Sequence, residues 1–162
     1  MRRLVLAVVL LVLALVAYAA YNLVEPAQAP FPEDLAGLRL TQLTEGDEAL
    51  RAIDRLHGKA IEGMVRGWVA TYVAGSERAL IWVAEAGNPA QAQELLAAMV
   101  RSMHGGEVFS SPRPGEVDGL SYYTSTGLGM YHYFYARGDR VVWVAVGSPR
   151  RDAIFRAVLG AF

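Results

Sequence analysis

The sequence predicts an α+β protein in which an N-terminal transmembrane helix is followed by one domain with a mainly antiparallel sheet and about three helices. Three observations support this prediction. An uncharged, almost wholly apolar run extends from Leu4 to Val24, a strand-turn-strand-helix pattern occurs twice in the rest of the chain, and cysteine is absent. Without disulfides, the domain expected over residues 33–162 depends on its own hydrophobic core, for which its length is sufficient.

The apolar run has the length of a membrane-spanning helix. At about 1.5 Å per residue, a helix over residues 4–24 matches the thickness of the hydrocarbon core of a bilayer. Arg2 and Arg3 precede the run and acidic residues follow it. The positive-inside rule then places the N-terminus in the cytoplasm. We expect residues 1–24 to be a signal-anchor in the cell membrane, with the domain on the extracytoplasmic, or periplasmic, side.

The alternative is a cleaved signal peptide, whose apolar core is normally 7 to 15 residues long. Small-x-small cleavage patterns occur at residues 17–19, inside the apolar run, and at residues 27–29, directly before Pro30. Because the run is longer than a signal core, we expect the anchor to be retained. Residues 25–32 contain three prolines and are expected to form an extended linker.

An internal repeat is the clearest pattern in the domain. Residues 72–84 resemble residues 135–145, and both copies end in Trp-Val-Ala. Gly75 and Gly138 supply the backbone freedom that a tight hairpin turn requires. The pattern indicates a β-β-α unit that is duplicated, with copies over about residues 67–104 and 129–162.

Each repeat continues into a sequence that is typical of a helix start. Asn88-Pro89 and Ser148-Pro149 each place a capping side chain before a proline at the first helical position. Gln91 completes a capping box with Asn88, and the first of the two helices is expected to stop at Gly105-Gly106. Both helices carry apolar residues at spacings of three and four, so each is expected to bury one side.

The remaining elements follow from hydrophobic periodicity and turn residues. We expect strands over residues 38–43, 107–110 and 120–126, a helix over residues 47–57, and a loop over the proline-containing residues 111–115. The total is about seven strands and three helices. Because each helix follows a hairpin, we expect all three on one side of the sheet.

The uncovered side of this sheet is a candidate docking surface, because aromatic side chains are concentrated in its last strands. Tyrosine and tryptophan are enriched at protein interfaces. A two-residue turn at Gly138-Asp139 would pair Phe134 with Trp143 and place His132 on the same face. The alternative is that the rings fill the core or that the sheet curls over itself. The residues predicted to contact a partner are Tyr122, Tyr131, His132, Tyr133 and Trp68.

No motif for catalysis, metal or cofactor is found in the sequence. The three histidines, His57, His104 and His132, do not have the spacing of a metal-ligand pair on a helix. The first two are expected at helix C-termini, where a histidine interacts favourably with the negative end of the helix dipole. An enzyme would require Asp118 and His132 to converge. Outside Arg2 and Arg3, 13 basic residues are set against 16 acidic ones without a basic cluster, which argues against nucleic acid as a partner.

These observations lead to two expectations for function. The first is a membrane-anchored, non-enzymatic binding module, acting as an accessory subunit that docks onto a membrane-protein complex. The second is an exported carrier or sensor of a small apolar ligand, or of a haem with His132 as its axial ligand. Neither expectation identifies the partner or ligand.

Overall fold

The computed structural model describes residues 31–57, 61–103 and 107–162. The helices of this part of the chain are Gly46–His57 (α1), Pro89–Met103 (α2) and Arg151–Ala161 (α3). The strands are Asp34–Leu35 (β1), Leu38–Glu45 (β2), Met64–Ala74 (β3), Glu77–Ala86 (β4), Arg113–Val117 (β5), Leu120–Gly127 (β6), Met130–Arg137 (β7) and Arg140–Gly147 (β8). All eight form one antiparallel sheet in the order β1-β2-β3-β4-β8-β7-β6-β5. The α+β architecture is confirmed, with eight strands instead of seven.

The apolar run over residues 4–24 lies outside the described residues, so the transmembrane helix stays a prediction. No helix that the structure describes combines the length and the apolar character needed to span a bilayer.

Both repeats form a hairpin followed by a helix. Gly75 and Gly138 begin the two-residue turns with φ angles of 59° and 58°, which glycine adopts without steric strain. The second turn sets the expected register, in which Phe134 pairs with Trp143. β4 and β8 are neighbours at the centre of the sheet, where Trp82 and Trp143, the equivalent tryptophans of the two repeats, are direct cross-strand partners.

Alternation along the strands divides the sheet into two faces. We call the face that carries Ile81 and Val144 the inner face, and the face that carries Trp82 and Trp143 the outer face. α3 packs its buried residues on the inner face together with Phe31, Leu35 and Leu38. α2 packs on the outer face against Phe134, Ala136, Val141 and Trp143. Each face therefore has its own apolar core.

The sheet curls around α3. This helix contacts β1 at one edge of the sheet and, through Phe155, the ring of Tyr122 in β6 near the other edge. Six strand spacings separate β1 from β6, which is about 29 Å in a flat sheet. α3 has 11 residues, so it is about 16 Å long and, with its side chains, about 10–12 Å wide, less than this distance in either direction. It contacts both strands because the sheet is curved, with the inner face concave.

The expectation that all three helices lie on one side is wrong. α1 shares the outer face with α2, since a Cβ atom at Gly67 would lie 3.0 Å from Leu50 and 3.3 Å from Ile53. α3 lies on the opposite face. Two residues connect β4 to α2, whereas three connect β8 to α3. Because successive residues of an extended chain point to opposite sides, the additional residue favours departure toward the other face.

The two helix starts also differ. At α2 the Asn88 carboxamide accepts a hydrogen bond from the Gln91 amide at 2.9 Å, which confirms the capping role of Asn88. α3 begins at Arg151, two residues later than predicted, and Ser148 is not its N-cap. The Ser148 hydroxyl accepts instead from the Arg150 amide and donates to Glu77. The Arg150 guanidinium also donates hydrogen bonds to the Glu77 carboxylate, so this network connects the start of α3 to the β3–β4 hairpin.

The segment between α2 and β6 departs from the prediction in two places. Residues 107–110 form no strand and make a single bridge, between Phe109 and Gly127. The predicted loop over residues 111–115 is largely β5, the edge strand. Pro114 pairs with Tyr123, and the register from the two-residue turn places its nitrogen on the free edge, where no donor is required. Proline is therefore compatible with this strand.

Candidate functional site

The five residues predicted to contact a partner do not form one surface. Trp68, His132 and Tyr133 are buried, at 5%, 4% and 5% exposure. Tyr122 is half-buried, and Tyr131 is 43% exposed. His132 lies on the outer face, whereas the other four lie on the inner face. Burial removes three of the five from the accessible surface, and contact through Tyr131 and Tyr122 stays a prediction.

Trp68 is covered by arginine side chains from two strands. The guanidinium carbons of Arg66 and Arg140 lie 5.6 Å and 5.7 Å from the centre of its ring. Glu85 lies between them in the register and forms an ion pair with Arg140 at 3.8 Å. The two guanidinium groups make cation–π contacts with the ring and shield it from water. The role of Trp68 in this arrangement is structural.

Tyr133 belongs to the core beneath α3. Its ring stacks on Phe155 with centroids 4.2 Å apart, and its hydroxyl donates to Asp152 at 2.9 Å. Burial, together with the Asp152 carboxylate, raises the pKa of Tyr133 well above its ordinary value. Tyr122 contacts the same phenylalanine at 5.0 Å. These rings fill the concave inner face, as the core alternative anticipated.

His132 is held by two hydrogen bonds that fix its protonation state. The Trp143 indole Nε1 donates to His132 Nδ1 at 2.9 Å, and His132 Nε2 lies 2.9 Å from the Gly127 carbonyl oxygen. An indole N–H can only donate and a carbonyl can only accept. The imidazole is therefore neutral and carries its proton on Nε2. Burial lowers the pKa of His132, which maintains the neutral form.

The same bonds bear on the ligand role considered for His132. A metal or haem iron binds a histidine through an unprotonated ring nitrogen. The one lone pair of His132 accepts the Trp143 proton, and the Phe109 ring packs edge-on against the imidazole at 5.0 Å. Axial ligation would require breaking this bond and displacing Phe109. No group of three or more metal-ligating side chains occurs within the described ranges. The side chain of His57 and the whole of His104 lie outside the described residues.

Asp118 and His132 are not brought together. Asp118 lies in the β5–β6 turn, whereas His132 pairs with Ser125, seven residues further along. At about 3.3 Å per strand residue this separation is about 23 Å. The acid–base pair that an enzyme would need is not formed by these two residues.

An exposed apolar tip lies at one end of the sheet, and of its residues only Tyr131 was predicted from the sequence. Leu128 is 69% exposed, Val108 56% and Tyr131 43%. The Phe109–Gly127 bridge brings Val108 beside the β6–β7 turn that contains Leu128. Leu128 has a φ angle of 52°, which disfavours a residue with a Cβ atom. A leucine in a two-residue hairpin turn, where asparagine or glycine is usual, was the available signal.

The fold defines the class of the protein as an α+β domain built on one eight-stranded antiparallel sheet with three helices among the described residues. No family model and no curated protein matches the chain. Among solved structures, a GTP-binding regulator from Thermotoga maritima is similar, with 13% identity and a TM-score of 0.50. The match covers 79% of this chain and 78% of that chain. At this identity the similarity concerns the fold alone.

Proposed function

We propose that this protein is a membrane-anchored, extracytoplasmic binding module without catalytic activity, acting as an accessory subunit of a membrane-protein complex. The observation that carries the anchor is the apolar run over residues 4–24, preceded by Arg2 and Arg3. Its length suits a spanning helix and the charges favour a cytoplasmic N-terminus. The two β-β-α units are consistent with an origin by duplication, and both belong to the same sheet.

The exposed apolar tip, formed by Val108, Leu128 and Tyr131, supports a docking role. These are three of the four large apolar residues that the described part of the chain exposes most. The left-handed backbone at Leu128 opposes a leucine by about 1–2 kcal/mol. An exposed leucine that destabilises its own turn is better explained by contact with a partner than by folding.

The second function, a carrier of haem or of a small apolar ligand, receives no specific support. Its haem form relied on His132, whose lone pair accepts the Trp143 hydrogen bond. The proposal of a non-catalytic role is supported by the separation of Asp118 from His132 and by the purely hydrogen-bonding role of this histidine.

The anchor is tested on the full chain expressed in a bacterial membrane. We expect it to resist extraction by alkaline carbonate and to start at its original N-terminus when measured by intact mass. Protease added to spheroplasts should degrade the domain, since it faces outward. Replacing Leu10 and Leu13 by arginine should release the protein from the membrane. A mature chain that starts after residue 19 or 29 would contradict the anchor.

The tip is tested by Leu128→Asn. Asparagine tolerates the left-handed backbone, so we expect the free energy of unfolding to rise by about 0.5–1 kcal/mol. Loss of a buried leucine contact should at the same time weaken association with the membrane complex about tenfold. A photocrosslinking residue at position 128 should label a membrane protein.

Asp118 provides the matched control, since it occupies the same position in the β5–β6 turn with a φ angle of 50°. Crosslinking from position 118, and the variant Asp118→Asn, should leave association unchanged. Equal labelling from positions 118 and 128, or unchanged association of the Leu128→Asn variant, would exclude the tip as the docking site.

A further inference from the structure

A short segment covers His132 and Trp143 on the outer face. We call residues 107–112 the cover segment. Its Phe109 packs edge-on against His132 at 5.0 Å and against Trp143 at 5.7 Å. The segment is attached through the Phe109–Gly127 bridge and through hydrogen bonds at Ser110. The Ser110 amide donates to the Thr126 carbonyl at 2.8 Å, the Ser125 hydroxyl donates to the Ser110 carbonyl, the two serine hydroxyls are 3.3 Å apart, and the amide and hydroxyl of Thr126 donate to the Ser110 hydroxyl. All of these contacts are made at Phe109 and Ser110, so two residues hold the aromatic cover in place.

The other neighbours of His132 are held much more firmly. On either side, Ser125 of β6 and Ala145 of β8 are its cross-strand partners within continuous ladders. α2 is held by the apolar core around Phe134 and Trp143. Water can therefore reach the imidazole with least disruption by displacement of the cover segment.

A proton added to His132 would have no acidic partner. Among the described residues, the ionisable side chains of α2 and the cover segment are Glu94, Arg101 and Glu107, and β6 adds Tyr123 on the outer face. Arg140 of β8 lies on the inner face, over Trp68. Within the described part of the chain, none of them forms a hydrogen bond or an ion pair with the imidazole, whose partners are Gly127 and Trp143. A proton on Nδ1 would also face the indole N–H of Trp143, so the hydrogen bond between them would be replaced by repulsion.

We propose that the cover segment is an acid-opened lid, in which protonation of His132 breaks its bond to Trp143 and lifts Phe109 from the outer face. Opening hydrates the imidazolium and exposes the apolar surface of Phe109 and Trp143. It also moves Val108, which is the residue before Phe109 and belongs to the exposed apolar tip. The mechanism depends only on the domain and is independent of the proposed docking role. Burial lowers the pKa of His132, so the lid stays closed near neutral pH and opens on acidification.

Hydrogen exchange of the full chain in detergent micelles tests the lid. Amide protection of the cover segment is measured at Ser110, whose N–H donates to the Thr126 carbonyl. It is compared at pH 8 and pH 5 and corrected for intrinsic exchange rates, with β3 and β4 as internal references. We expect protection of the cover segment to fall at least tenfold at pH 5, while the reference strands stay protected. His132→Gln is the matched control. Its amide oxygen can accept from Trp143 and its nitrogen can donate to Gly127, but it takes up no proton in this range, so its segment should stay protected.

Gly127→Ala provides the opposite control. The added Cβ atom would overlap the Phe109 ring and lie 2.6 Å from the Val108 carbonyl oxygen. We expect the cover segment of this variant to be unprotected at both pH values while β3 and β4 remain protected. The lid is excluded by equal protection of the wild-type segment at pH 8 and pH 5, by an equal loss in His132→Gln, or by simultaneous loss from the reference strands.

Discussion

Replacing Phe155 by alanine is expected to lower the free energy of unfolding by about 3–5 kcal/mol, because the ring fills the concave face of the sheet. Phe155 is 4% exposed and contacts three tyrosine rings, those of Tyr122, Tyr133 and Tyr135, with centroid distances between 4.2 Å and 6.1 Å. Its removal leaves a cavity beneath α3 that the tyrosine rings of the adjacent strands β6 and β7 line. Chemical denaturation followed by circular dichroism measures the loss.

Val65→Ala is the control for this experiment. Val65 is 61% exposed, and its truncation should change stability by less than about 0.5 kcal/mol. A loss below about 1 kcal/mol for Phe155→Ala would mean that α3 contributes little to the inner core and that the sheet is held in its curved form by other contacts.

Acidification from pH 8 to pH 5 is expected to lower the stability of the domain through His132. The folded pKa lies below the ordinary histidine value of 6.5, so the unfolded chain binds the proton more readily than the native protein does. The contribution of His132 to the free energy of unfolding is fully present above about pH 6.5. It is lost as the pH falls, by at most about 1.4 kcal/mol per pH unit. Opening of the cover segment limits this loss of stability. In the open form of the folded protein the His132 ring is hydrated, so it can bind the proton without unfolding of the domain.

The comparison of wild type with His132→Gln isolates this effect. Urea denaturation at pH 8, 6.5 and 5 should show a smaller decline in the variant. The pKa of Glu77 is lowered from 4.5, chiefly by its hydrogen bond to Arg150, so stability from that carboxylate is lost only below the chosen range. A wild-type stability that stays constant to pH 5, or that falls equally in both proteins, would contradict the assignment of a buried neutral His132.

Local sequence patterns predicted the hairpins with their register. A two-residue turn leaves one possible pairing, so Gly138-Asp139 was sufficient to pair Phe134 with Trp143 and to place His132 on the same face. α1 was likewise predicted within one residue of its observed start, because its apolar spacing is regular. Where one local rule determines the geometry, the prediction was confirmed.

Prediction failed where the environment overrides the local rule. Pro114 indicated a loop, yet it lies in an edge strand whose free side needs no donor from it. Ser148 resembles an N-cap, yet its hydroxyl donates to Glu77, which is distant in the sequence, and accepts from the amide of Arg150, which precedes the helix. Local patterns also could not predict on which face of the sheet α2 and α3 pack, because apolar residues line both faces of the central strands.

Composition and residue spacing were enough to establish the chemical class of each segment: an apolar run long enough for a membrane, two glycine-turned hairpins with their helices, and a domain without disulfides. Hydrophobicity and backbone preference act between neighbours along the chain, so these features can be read from it. Three-dimensional packing was needed to establish that three of the five predicted contact residues are buried, and that His132 is a neutral hydrogen-bonding group beneath Phe109. Burial and proton position depend on which side chains meet in the folded chain. α3 covers Tyr133 on the inner face, whereas Phe109 and Trp143 surround His132 on the outer face.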